Sequence, residues 1–228
     1  MENQTKKKVF VTRAMYSVAA AMALLLVGCG PIISFGDDGP ADDVYSLEYS
    51  LNNANTNDTA TIIYVEEPLM SDGLGGINVA VALENRKRTN LQGVRWSANS
   101  TDLIRDYFVR AIGRMSGTRL LGQGAIDVQA GCRLGIKVWA FEFVPGTNAG
   151  DDRVDLEVEF ILVRYNDNRL LGQPTFSASP QVVLSDGENI VDAFHDGMTS
   201  ISSDAGKWLA PLASQCDLTA TRDPRIRR

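Results

Sequence analysis

The chain holds one histidine, His195, set between Asp192 and Asp196. An imidazole with a carboxylate one helical turn away can be a general base, because the acid steadies the ring. Such a base needs a nucleophile or a metal beside it, and neither a G-x-S-x-G elbow nor an H-E-x-x-H helix motif is present. His195 lies next to an apolar stripe and reads as a structural or solvated residue. Gly73-Leu74-Gly75-Gly76 has the composition of a phosphate loop, but it precedes a strand. The helix N-terminus that would receive an anion is missing, so it reads as a turn. The carboxylate pairs Glu66–Glu67 and Asp151–Asp152 fall in loops or at strand ends. With no C-x-x-C and a lone histidine, no metal-ligating set assembles. The expectation is a protein without catalytic residues, metal or cofactor.

The chemistry that remains belongs to cysteine. Cys29 closes "LLLVGCG", the end of the one long apolar run. Lys6, Lys7, Lys8 and Arg13 precede that run, and Ala14–Gly28 carries no charge. A bilayer core needs about 20 apolar residues in a helix, so the run is short for a span. A basic region followed by an apolar one of this length is the pattern of an export signal. Leu26-Val27-Gly28-Cys29 resembles a bacterial lipobox, which implies cleavage between Gly28 and Cys29 and acylation of Cys29 on sulfur and on the new amino group. Two or more acyl chains make membrane attachment stable, where one does not. Gly30, not aspartate, follows the cysteine; by the usual bacterial sorting pattern this implies outer-membrane delivery.

An exported chain meets an oxidising compartment, where Cys132 and Cys216 are expected to pair. Such a long closed loop is worth about 4–5 kcal/mol in the chain-entropy model. Loss of residues 1–28 removes four cations and one anion, so the net charge moves from −6 to −9. An acidic body argues against a nucleic-acid partner, which demands a basic face, and against broad docking on anionic lipid.

These residues need a scaffold. Residues 29–43, rich in Gly, Pro and Asp, read as an acylated tether whose root-mean-square span is roughly 20 Å if flexible. Strands are expected at Val44–Ser50, Ala60–Pro68 and Ile77–Asn85, with "RKRTNLQG" as a polar turn. Leu103, Ile104, Tyr107, Phe108, Ala111, Ile112 and Met115 recur at helical steps, with Asn99 or Ser100 as cap and Gly117 as stop. A glycine-broken strand follows in "RLLGQGAIDVQA". Residues 133–179 alternate and read as a three-stranded antiparallel meander, with "YNDN" as a turn. Trp139, Phe141 and Phe143 are placed on one side of its first strand, and Ile136, Val138 and Ala140 on the other. Ile190, Val191, Phe194, Met198, Ile201, Trp208 and Leu209 form a second helical stripe, capped by Ser185 or Asp186. The fold class is therefore α+β, a mostly antiparallel sheet packed against two amphipathic helices in a single domain over 44–216. Residues 217–228 form a frayed basic tail.

The order of these features resembles the ABC-type transport auxiliary lipoproteins, which accompany MCE-type lipid transporters such as the paraquat-inducible intermembrane transport system. The resemblance rests on the lipobox, the Tyr45-x-Leu47 strand, and Ile63 and Val65 ahead of Pro68. It rests also on Arg95-Trp96 at the head of "STDLIRDYFVRAI", and on the closing helix with Ala193-Phe194 and Lys207-Trp208-Leu209. It implies a non-enzymatic lipoprotein of the outer membrane, facing the periplasm and docking an MCE-domain protein, with homo-oligomeric rings among its members. Arg95 and Trp96 are the motif residues it would place at a partner surface; core packing is the other reading of Trp96. The cysteine pair is not recognised as a general feature of the family.

Overall fold

Strand β7, Cys132–Val144, is the spine of the molecule. The computed structural model describes residues 41–49, 61–124, 128–148 and 150–218. The export signal, Cys29, most of the tether and the basic tail lie outside the described residues. One edge of β7 pairs along its length with β8, Arg153–Arg164, in antiparallel register from Cys132↔Arg164 to Val144↔Arg153. The other edge carries three shorter parallel strands in succession. These are β2 (Ile62–Val65) at Cys132–Leu134, β3 (Leu69–Met70) at Lys137–Val138 and β4 (Asn78–Leu83) at Phe143. Beyond β4 stand β5 (Lys87–Trp96), antiparallel to it, and β1 (Asp43–Tyr45), parallel to β5. β6 (Arg119–Leu121) runs parallel to β2. β9 (Leu170–Gly172) and β10 (Thr175–Ala178) close the far side against β8.

The class is α+β, with helices α1 (Ser100–Ser116) and α2 (Gly187–Leu209) against the sheet. The sheet is mixed rather than mostly antiparallel. Its two longest ladders are antiparallel hairpins, which short turns permit. The parallel pairs arise because the chain crosses over before it returns, as it does through α1 between β5 and β6.

Helix α1 buries Ile104, Tyr107, Phe108, Ala111 and Ile112, and Gly117 ends it in the left-handed conformation, φ 66°. Asn99 holds the cap position without a side-chain hydrogen bond; the buried Ser100 hydroxyl instead donates to the Leu74 carbonyl at 3.1 Å. Helix α2 is capped by Asp186, which accepts from the Asn189 amide at 2.9 Å. Its buried face includes two glycines. A Cβ on Gly197 would meet Leu156 Cδ1 at 2.2 Å, and one on Gly206 would meet Met115 Cβ at 2.5 Å. Glycine there lets α2 approach β8 and α1 more closely than alanine could.

Four elements differ from the sequence expectation. "RKRTNLQG" is not a turn but most of β5; the reversal comes earlier, at Asn85 and Arg86 with φ 61° and 62°. Residues Lys87–Asn90 are exposed, so no apolar alternation marks the strand. In β7 a register shift between Val138 and Ala140 exchanges the faces. Ile136 and Val138 share the core with Phe141 and Phe143, while Trp139 is 47% exposed. The first strand is three residues long, not seven. The third strand of the meander is split into β9 and β10 around Pro174, whose carbonyl still accepts from Phe160 N at 2.9 Å. β8 matches its expectation: Val154, Leu156, Val158, Phe160 and Leu162 all face the core.

Cys132 and Cys216 form a disulfide across 84 positions. It ties the start of β7 to a 3-10 segment, Ala210–Cys216, that follows α2. Both cysteines are buried. Gly131 lies so close to this segment that its Cβ would fall 1.6 Å from the Cys216 carbonyl oxygen.

Candidate functional site

Arg95 and Trp96 are neighbours in sequence and opposites in space, because side chains alternate across a strand. Trp96 is 1% exposed and packs between Phe141 of β7 at 5.8 Å and Phe194 of α2 at 5.2 Å, the latter edge to face. Its indole N–H, itself buried, has no acceptor among the described residues. Arg95 faces solvent, paired in register with Val44 on one side and Asn78 on the other. The backbone joins four elements at this point. Trp96 N donates to the Ile77 carbonyl at 2.7 Å, Ser97 N to Tyr45 at 2.7 Å, and Ser100 N to Gly76 at 2.9 Å. The motif is thus a structural corner that presents a single arginine outward.

The same corner explains Gly73–Gly76. Its carbonyls, those of Leu74 and Gly76, accept from Ser100 at the start of α1. The turn offers acceptors to the helix N-terminus rather than amides to a phosphate. His195 is half-buried on α2 with its ring edge-on to Tyr107 at 5.7 Å. The Tyr107 hydroxyl shares a 2.7 Å hydrogen bond with Thr199, and burial raises its pKa above the usual tyrosine value. Asp192 and Asp196 stay exposed. Among the described residues, no cluster of three His, Cys, Asp or Glu side chains could hold a metal ion. No described helix is long and apolar enough to cross a membrane.

The helices cover one face of the sheet. On the other face a shallow groove of about 240 Å³ lies over Gly135, lined by Leu69, Ile161 and Val163. Its rim holds an Arg133–Glu66 ion pair at 3.3 Å, with both side chains 42% exposed. Lys137 stands beside it with its ammonium 3.7 Å from the centre of the Trp139 ring. The Trp139 indole donates to Glu159 at 2.9 Å, and Gln173 donates to the other oxygen of the same carboxylate. Those bonds, Gln173 first, hold Glu159 below the ordinary glutamate range, and the charge of Lys137 adds to them. Sequence reading missed this groove, since its apolar residues sit on three separate strands. The bulge that exposes Trp139 has no sequence signature beyond an aromatic where alternation breaks.

Comparison with known proteins places this geometry. A family model described as "ABC-type transport auxiliary lipoprotein component" matches residues 45–206. No curated protein matches at a significant level. Among solved structures, a Xanthomonas campestris protein of the family DUF330 is similar at 18% identity, covering 76% of this chain and 97% of its own, with a TM-score of 0.65. An uncharacterized protein is similar at 15% identity, covering 75% and 99%, with a TM-score of 0.60. A lipoprotein from Caulobacter crescentus aligns at 13% identity over 65% and 88%, with a TM-score of 0.36. The first two share the fold.

Proposed function

The chain belongs to the ABC-type transport auxiliary lipoprotein components, and from that membership we propose a specific role. It is an outer-membrane-anchored, periplasm-facing lipoprotein of an MCE-type ABC lipid transport system. Acylated Cys29 fixes it to the inner leaflet, and the α+β body docks an MCE-domain protein that spans the periplasm. The protein makes and breaks no bond in the lipid; the energy comes from an ATPase elsewhere in the system, and it is not an enzyme. The observation that carries the reading is the family match over residues 45–206 behind a lipobox cysteine. The exposed Arg95 and the uncovered sheet face, with its groove between β3 and β8, offer surfaces for that partner or for further copies in a ring.

A pull-down of the lipidated protein from membranes tests it. Recovery of an MCE-domain protein with its permease and ATPase supports the role. Recovery of envelope-assembly proteins without any MCE partner replaces it with the rival, a structural or assembly lipoprotein of the cell envelope.

A further inference from the structure

The strand registers place part of the exposed apolar surface at the two ends of the sheet. Leu83 pairs with Lys87, Val144 with Arg153, and Gln181 with Arg153. These pairs, with Val81 beside Phe143, bring together the turn 83–87, the hairpin 144–153 and the loop 181–186. That end carries Leu83, Val183 and Leu184, which are 41%, 82% and 60% exposed. Val183 and Leu184 put two consecutive large apolar side chains in water at a loop tip, a small patch that an apolar surface could cover. The opposite end holds Cys132 paired with Arg164, the turn at Tyr165–Asn168, and Leu170.

The entry of the chain selects between the ends. β1 runs parallel to β5 with Asp43 beside Val94, and Gly187, three residues after Leu184, packs against Val94 and Tyr45, so the loop tip lies close to where β1 begins. The fourteen residues 29–42 can reach at most about 50 Å, so an anchor at Cys29 leaves the Leu83–Leu184 end free to touch the bilayer. Exposed Asp186 and Glu188 lie around Tyr45, while exposed Arg86, Lys87 and Asp151 sit in the turns that close this end of the β4–β5 and β7–β8 ladders. Mixed charge of that kind suits a head-group layer that itself carries both signs.

We propose that the loop tip Val183–Leu184, at the same end of the sheet as Leu83, inserts shallowly into the zwitterionic surface of the bilayer that holds Cys29. The body then stands with its opposite end, around Leu170, away from the lipid. The proposal rests on the acylation of Cys29 and adds an orientation to it. Apolar side chains of an anchored body gain by entering the head-group and acyl boundary, while the acyl chains supply the attachment itself.

The acylated mature chain, residues 29–228, carrying Leu184→Cys or Leu170→Cys labelled with an environment-sensitive fluorophore, is reconstituted on phosphatidylcholine–phosphatidylethanolamine vesicles. Both sites are exposed, so the labels leave the core intact. The expected result is flotation with the vesicles, a blue shift at position 184 with quenching by a lipid-borne quencher, and no change at position 170. Flotation with position 184 still in water, or with position 170 quenched instead, overturns the insertion while leaving the anchor. Failure to float overturns the anchor, and the insertion with it.

Discussion

Trp96 fills the space between Phe141 and Phe194, and its unpaired N–H makes it a useful probe. Trp96→Ala empties a core site and should cost about 3–5 kcal/mol. Trp96→Phe removes a polar atom with no acceptor and should cost clearly less; urea midpoints separate the two. Glu142 is the buried carboxylate of β7, held by Arg88 through Nε at 2.6 Å and Nη2 at 3.2 Å. Arg88→Ala leaves that acid without its charge partner and should cost about 1–3 kcal/mol. Adding Glu142→Gln should recover part of the loss, measured as a double-mutant cycle. Exposed carboxylates set the acid limit. Arg164 holds Asp167 down at about 2, and Ser185 with the Gly146 amide holds Asp152 below the ordinary range. A carboxylate depressed in the folded state stabilises fully above its unfolded pKa and loses that contribution as pH falls through the folded one. Stability should therefore be level above about pH 5 and decline from about pH 4 toward 2. A denaturation midpoint that rises on acidification would contradict this sign.

The disulfide and the glycines act on elements. Cys132–Cys216 clamps the segment after α2 to the start of β7, and the Gly131 backbone leaves no room beneath it. Reduction, or Cys132→Ser with Cys216→Ser, should destabilise by up to about 4–5 kcal/mol in the loop-entropy model. Gly131→Ala should do harm of a different kind, pushing the Cys216 backbone away and slowing disulfide formation, which a thiol-trapping time course reads. Gly197→Ala should weaken the docking of α2 on β8 by about 1–3 kcal/mol, since the new Cβ meets Leu156. β5 is the counter-case among elements. Its residues Lys87–Asn90 are exposed, so periodicity had nothing to register, and pairing with β4 alone makes them a strand.

For the whole molecule the decisive test is attachment. Cys29→Ala should abolish labelling by radioactive palmitate and release the protein from membranes, with the fold of the body unchanged by circular dichroism. Normal palmitate labelling in that variant would remove the anchor and the orientation built on it. The acidic balance, −9 after the export signal, predicts weak retention on anionic vesicles once the acyl groups are gone.

The sequence by itself determined what is periodic: the β8 alternation, the two helical stripes, and the order of features that points to the family; the lipobox pattern at Cys29 is the premise of the proposed anchor. Those signals are local, and each can be read from a few residues. Only the tertiary structure decided that Arg95 and Trp96 part company, that a bulge turns Trp139 outward, and that short parallel strands line one edge of β7. It also gathered Leu83, Val183 and Leu184 at one end of the sheet. These are outcomes of pairing between residues tens of positions apart, and pairing register is set by the packed core rather than by any neighbour in the chain.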